Sequence, residues 1–190
     1  AEPPRDLLRV LAAAPAGTSS ASASAPSGVI SESDESEIQY PPDSIATLVD
    51  VLDWHAERHG DRLLITLDSE HGAATQLTYG RLRIDALTVA AGLTDKGYGA
   101  GDAVAIMLPT GSDFFAAFYG ALYAGCVPVP LYPPARLTQL EDHLQRSAGI
   151  LRNAEAKLLI TVTQAKPLAH LLRARCETLD AVATVSDLAV

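Results

Sequence analysis

The sequence is short of what several functional classes require. Its 190 residues hold two cysteines, Cys126 and Cys176. They lie far apart and outside any CxxC pair, which excludes a disulfide framework and a four-ligand zinc site. Both read as reduced thiols, as in cytoplasm. Lys and Arg number 14 against 23 acids, a net charge of −9, and they form no cluster, so a nucleic-acid partner is excluded. There is no initiator Met and no basic stretch ahead of an apolar core, so a signal peptide is not supported. The start reads as that of an internal or processed segment. Between Phe114 and Ala135 there is no charge, and six of the ten aromatics fall there. Pro128, Pro130, Pro133 and Pro134 would break a helix in the second half of that run, which decides against a transmembrane span.

What is present is apolar material, 48% of the chain, enough for the core of one ordinary domain with an appendage. Charge is uneven: residues 1–43 carry seven acids and two bases, net −5, and the remainder is net −4. Residues 1–14 suggest a short helix with Leu7, Leu8, Val10 and Leu11, ended by Pro15. Residues 15–43 are rich in Ala and Ser, then acidic through Ser31–Glu37 (SESDESE), and read as a disordered, solvated linker. Residues 44–190 should hold the ordered domain.

Within it, Thr47 and Asp50 can cap a helix to His59 whose Leu48, Val51, Leu52 and Ala56 share a face, with Gly60 closing it. LLITL (63–67) and TQLT (75–78) read as a hairpin across the polar SEHG region. Thr78 caps a second helix carrying Leu82, Ala86, Val89, Ala90 and Leu93, ended by Gly97. Strand and helix then alternate: strands at 103–108, 126–131, 158–162 and near 182–185, helices at 112–124, from Thr138 (boxed with Glu141) to about 153, and near 164–175. That order predicts an α/β fold, a doubly wound and mainly parallel sheet with helices on both faces.

Isolated motifs carry little chemistry. His55 and His59 have a metal-binding spacing but no third ligand, so a structural pair fits better. Gly97, Gly99 and Gly101 end a helix and enter a strand, the reverse of a dinucleotide loop. Pro109 to Ser112 does follow a strand and open a helix, where an anion could bind. Gly17 to Ser24 has no lysine and reads as linker. Cys126 enters a buried strand with no histidine nearby, so it fits a small core residue. Phe114, Phe115, Phe118, Tyr119 and Tyr123 crowd one helix, as core or as the wall of an acyl channel.

LTYGRL (77–82), GDAVAIMLPTG (101–111) and ALYAGCVPVPLYPPAR (121–136) occur in order. Together they resemble the amino-terminal part of the adenylate-forming (AMP-binding) superfamily, and YPPAR followed by QLEDHLQRSAGILRNAEAKLLIT is similar to the fatty acyl-AMP ligases. Two positions depart from the pattern: Arg81 replaces a usual Glu, and the Tyr132-Pro133-Pro134 run replaces an acidic residue. EPPRDLLRVL is similar to the last helix of an acyl carrier protein domain, which would make residues 15–43 a tether.

The resemblance implies that a complete enzyme joins a fatty acid to ATP, with Mg²⁺, as an acyl-adenylate. It then passes the acyl group to the phosphopantetheine thiol of a carrier protein. A fatty acyl-CoA synthetase is the nearest alternative. A non-catalytic docking module comes next, and a nucleotide-binding oxidoreductase domain last. The family's phosphate loop, ribose-binding Asp and catalytic Lys are not among these residues, so no catalytic or cofactor-binding residue is assigned. Tyr132, Pro133, Pro134 and Arg136 are the substrate-site candidates. The 190 residues alone are expected to bind no ATP or Mg²⁺ and to catalyse no fatty-acid-dependent pyrophosphate exchange; exchange above background would contradict this.

Overall fold

The computed structural model describes residues 40–68, 74–134 and 140–189. The carrier-like helix, nearly all of the linker, the SEHG region, Arg136 and Thr138 lie outside them. Thr47, in extended backbone, accepts the Asp50 N–H at 3.1 Å, and the Asp50 carboxylate accepts the Thr47 N–H at 3.2 Å. This reciprocal cap starts α1, Leu48–His59. Gly60 keeps right-handed backbone, so it does not close the helix through a left-handed turn. Its role is close approach: a Cβ there would stand 2.8 Å from the Ala56 carbonyl oxygen, and the Gly80 N–H donates to the Gly60 carbonyl at 2.9 Å. Leu48 is 56% exposed, contrary to its expected place on the core face. The anchors of α1, which are Leu52, Asp53, Trp54 and Gly60, lie in its later turns.

β1 (Leu63–Leu67) and β2 (Thr75–Thr78) form the expected antiparallel pair. Thr78 then accepts the Arg81 N–H at 3.2 Å and starts α2, Tyr79–Asp95. Leu52, Leu77 and Leu82 form a small core where α1, β2 and α2 meet. The Asp53 carboxylate binds it from above, accepting Arg83 Nε and the Tyr123 hydroxyl, each at 2.6 Å.

Four parallel strands make the main sheet: β3 (Ala103–Met107), β4 (Val127–Pro130), β5 (Leu158–Thr161) and β6 (Ala181–Ala183), in the order β4-β3-β5-β6. They are joined through α3 (Ser112–Tyr123), α4 (Leu140–Asn153), and a 3-10 turn (Thr163–Ala165) leading into α5 (Lys166–Arg173). The short α6 (Val185–Leu188) follows β6. β3 is buried throughout, because its alternating side chains serve two cores. Ala103, Ala105 and Met107 share one with α4 and α5, including Leu144, Leu151, Leu168 and Leu172. Val104 and Ile106 share the other with α2, α3 and α6, including Val89, Leu93, Ala117 and Leu188. Fully buried Thr161 is tolerated because its hydroxyl donates to the Met107 carbonyl at 3.1 Å.

Val185 is helical and not the end of a strand. Thr184 and Asp187 cap each other at 3.2 and 2.8 Å, so capping overrides the β-branched run. Among the described residues no helix is long and apolar enough to cross a membrane.

α2 is held without clearance on two sides. A Cβ at Gly120 of α3 would stand 2.7 Å from Val89 Cβ, and one at Gly92 would stand 1.9 Å from the Leu188 carbonyl oxygen. Gly92→Ala and Gly120→Ala should each cost about 1–3 kcal/mol. Gly99→Ala, with nothing within 4 Å of a new Cβ, should change stability by less than about 0.5 kcal/mol. Denaturant unfolding of the three variants checks this; equal midpoints would contradict it.

Candidate functional site

In open parallel sheets ligands gather at the carboxyl ends of the strands, where successive connections leave to opposite faces. Here β3 leads to α3 on one face, while β4 and β5 lead to α4 and α5 on the other. At the ends of β3 and β4 lies a cleft of about 420 Å³. Leu108, Pro109, Thr110 and Phe114 line it from the β3 side, and Pro130, Leu131, Tyr132 and Pro133 from the β4 side.

The backbone explains how so many prolines stand there. Val127 N–H donates to the Asp102 carbonyl and Leu131 N–H to the Ile106 carbonyl, each at 2.8 Å. By alternation, Pro128 and Pro130 turn their nitrogens away from β3, toward the open edge where no ladder bond is lost. The same prolines stop another strand from adding to that edge. The Leu131 bond carries the chain one residue beyond β4, burying Leu131 while Tyr132 stands 91% exposed at the mouth. Pro134 is buried.

Of the four candidates read from the sequence, Tyr132 and Pro133 line the cleft, Pro134 is buried and does not line it, and Arg136 lies outside the described residues. Leu108 was legible only as the end of a strand. The remaining wall, Pro109 and Thr110, belongs to the loop expected to meet an anion. Gly111 offers α3 no side-chain cap, and Asp113 already places a carboxylate in its first turn, which occupies the favourable end of the helix dipole. The aromatic helix divides its duties. Phe114 faces the cleft and, with Phe118, joins the sheet-side core, whereas Phe115, Tyr119 and Tyr123 pack beneath α1 with Leu52 and Leu82.

Among the described residues the cleft has no charged lining residue. Among the described residues no group of three His, Cys, Asp or Glu side chains could hold a metal ion. A triphosphate with Mg²⁺ therefore does not fit these residues, and an uncharged group does. A second hollow of about 180 Å³, between α2, α3 and α6, has a mixed lining in which Arg81, Asp85 and Asp113 stand beside Val89 and Ala116. Arg81 pairs with Asp85 at 2.8 Å on the helix surface, so its departure from the family's Glu disturbs no core contact.

The other motifs are structural. Gly97 and Gly101 both take φ of +85° in the turn before β3, and Asp102 accepts the Gly99 N–H at 3.0 Å. His55 is stacked on Tyr79. Cys126 is buried with its thiol 3.3 Å from the Gly99 carbonyl oxygen, and burial pushes its pKa up, the opposite of an activated nucleophile. Burial does the same to Cys176.

Residues 52–189 match the family model described as AMP-binding enzyme. Among curated proteins, Disco-interacting protein 2 homolog A of Mus musculus is 47% identical over 89 residues, 46% of this chain and 6% of that protein. A putative acyl-CoA synthetase of Caulobacter vibrioides is 34% identical over 114 residues, 60% of this chain and 20% of that protein. The long-chain-fatty-acid–AMP ligase FadD32 of Mycolicibacterium smegmatis is 32% identical over 135 residues, 69% of this chain and 20% of that protein. The chain thus spans a fifth or less of each of these relatives. Among solved structures, one from work on fatty acyl-adenylate ligases of E. coli and L. pneumophila is similar at a TM-score of 0.68 and 28% identity. That match covers 76% of this chain and 26% of the other.

The burial of both thiols has a direct consequence. Neither should react with an aromatic disulfide reagent at mildly alkaline pH until denaturant is added. A thiol that titrates in the native protein would show that its wall is open.

Proposed function

Because the chain belongs to the AMP-binding enzyme family, we propose that it is the amino-terminal part of a fatty acyl-AMP ligase whose cleft at the ends of β3 and β4 receives an uncharged part of the substrate, the acyl chain or the thiol-bearing arm. The observation that carries this reading is the cleft's lining: apolar side chains, two hydroxyls and no charge. Such a surface favours alkyl or amide groups over phosphates. Tyr132 and Pro133 shape its mouth in this reading, and Pro134 and Arg136 remain substrate-site candidates beside them in sequence.

In the whole protein a fatty acid carboxylate oxygen attacks the α-phosphorus of ATP. The bond to the bridging oxygen breaks, and pyrophosphate leaves. The carrier thiol then attacks the acyl carbonyl, AMP leaves, and the thiol proton passes to solvent. ATP and Mg²⁺ are held outside the described residues in this reading. Residues 44–190 form the first layer of the adenylating domain, residues 15–43 the tether, and residues 1–14 the end of a carrier domain that the tether keeps at high effective concentration. A fatty acyl-CoA synthetase is the second reading, favoured by the Caulobacter relative; it differs only in the thiol acceptor.

The test uses the whole reading frame that contains this chain. Fatty-acid-dependent pyrophosphate exchange is expected, with the acyl group then passed to carrier protein and not to free coenzyme A. Exchange with no fatty acid dependence would overturn the activity, and transfer to coenzyme A alone would favour the second reading. Tyr132→Ala should leave stability within about 0.5 kcal/mol, since the ring is solvated, yet weaken a fluorescent long-chain fatty acid probe about tenfold, through loss of roughly 1.4 kcal/mol of contact. Unchanged probe affinity would remove Tyr132 from the site.

A further inference from the structure

Trp54 is the chain's single tryptophan, and it is buried in a ring cluster on the inner side of α1. His55 meets it edge-on with ring centres 4.8 Å apart and lies stacked on Tyr79 of α2 at 4.5 Å. His59, one turn later, meets Trp54 at 5.7 Å and stands 6.2 Å from His55. His55 Nδ1 and His59 Nε2 are both enclosed, and neither has a hydrogen-bond partner among the described residues. An enclosed ring nitrogen with no acceptor before it is accommodated as a lone pair. Protonation turns it into a donor with nothing to receive its hydrogen, at the cost of a buried unsatisfied charge.

The surrounding groups add to that cost. Burial holds the His55 pKa below 6.5, and repulsion from His59 and from Arg62 in the following loop acts in the same direction. The Arg58 guanidinium lies over the Trp54 ring at 4.9 Å, on the same helix. From α2 the cluster is faced by the neutral Tyr79 ring. Asp53, the carboxylate α1 turns toward its neighbours, is already engaged by Arg83 of α2 and Tyr123 of α3. Asp53 is thereby committed to other donors while cations border the pair.

We propose that His55 makes the docking of α1 on α2 acid-sensitive: as a neutral ring it meets Trp54 edge-on and stacks on Tyr79, and once protonated it leaves both contacts, freeing the later turns of α1. The direction follows from linkage. A histidine with a depressed folded-state pKa contributes docking stability that is complete above the unfolded value of 6.5 and declines as pH falls below it. Protonation of His55 raises the undocked population by up to about tenfold per pH unit.

Trp54 emission and amide hydrogen exchange, corrected for intrinsic rates, would be followed in the 190-residue chain from about pH 7.5 to about pH 5, where histidine titrates. The expected result is a red shift of the emission and several-fold faster exchange at residues 48–59, with exchange in β3 unchanged. His55→Phe retains the stack without a titrating nitrogen and should flatten the response, as should His55→Phe combined with His59→Gln. An emission maximum and exchange pattern independent of pH in the parent chain would overturn the proposal whether or not the variants fold. So would an equal shift in the double variant, or β3 opening together with α1.

Discussion

The face of the sheet that carries α1, the hairpin, α3 and α6 depends on how closely α2 can lie against its neighbours. Gly120 removes the side chain of α3 where Val89 presses in, and Gly92 removes that of α2 where the backbone of α6 crosses. With no Cβ at either contact, dispersion acts at backbone range, and a single methyl group would have no space to enter. α2 can then serve two cores at once. One side completes the sheet-face core through Val89 and Leu93, and its first turns, through Leu82, close the smaller core under α1 and β2. Among the described residues the hairpin and α1 reach the sheet chiefly through this helix and the aromatic side of α3.

The Asp53 clamp follows from the same geometry. Three helices meet at one carboxylate, which accepts a guanidinium and a phenol at 2.6 Å each. Half-buried charge of this kind is tolerable because both donors are present. It also orients α1, since apolar packing by Leu52 and Trp54 would allow rotation about the contact. The histidine stack lies one turn further along, and it is the part of the α1 interface that depends on ring nitrogens with no partner.

The cleft arises from a different constraint. β4 is an edge strand built from alternating valine and proline, and it pairs with β3 through its odd-numbered residues only. The prolines cost no ladder bonds, protect the edge, and continue into the run that walls the cleft. Edge protection and an uncharged binding surface are thus products of one sequence feature.

Much of the fold was legible from local chemistry. The caps at Thr47 and Thr78, the hairpin, and the alternation of apolar strands with amphipathic helices are determined by side chains within a few residues of one another, so they survive being read in isolation. The buried character of β3 and β5 was likewise written in their unbroken apolar runs. Tyr132 and Pro133 were named as site candidates through a resemblance, Pro109 and Thr110 as part of a loop open to an anion and Phe114 as core or channel wall; that all of them line one cleft with Leu108 was not legible in any one stretch. Leu48 was misread because its exposure depends on where another element lies, and Val185 because the Thr184–Asp187 cap outweighs the β-branched run. By itself, then, the sequence determined the elements, the α/β order and the exclusion of charge from the Phe114–Ala135 run. Tertiary structure alone decided which glycines are contact points, which aromatic ring of α3 meets the cleft, and which imidazole nitrogens are sealed. Close packing and enclosure are properties of pairs of surfaces, and no single stretch of chain carries both surfaces.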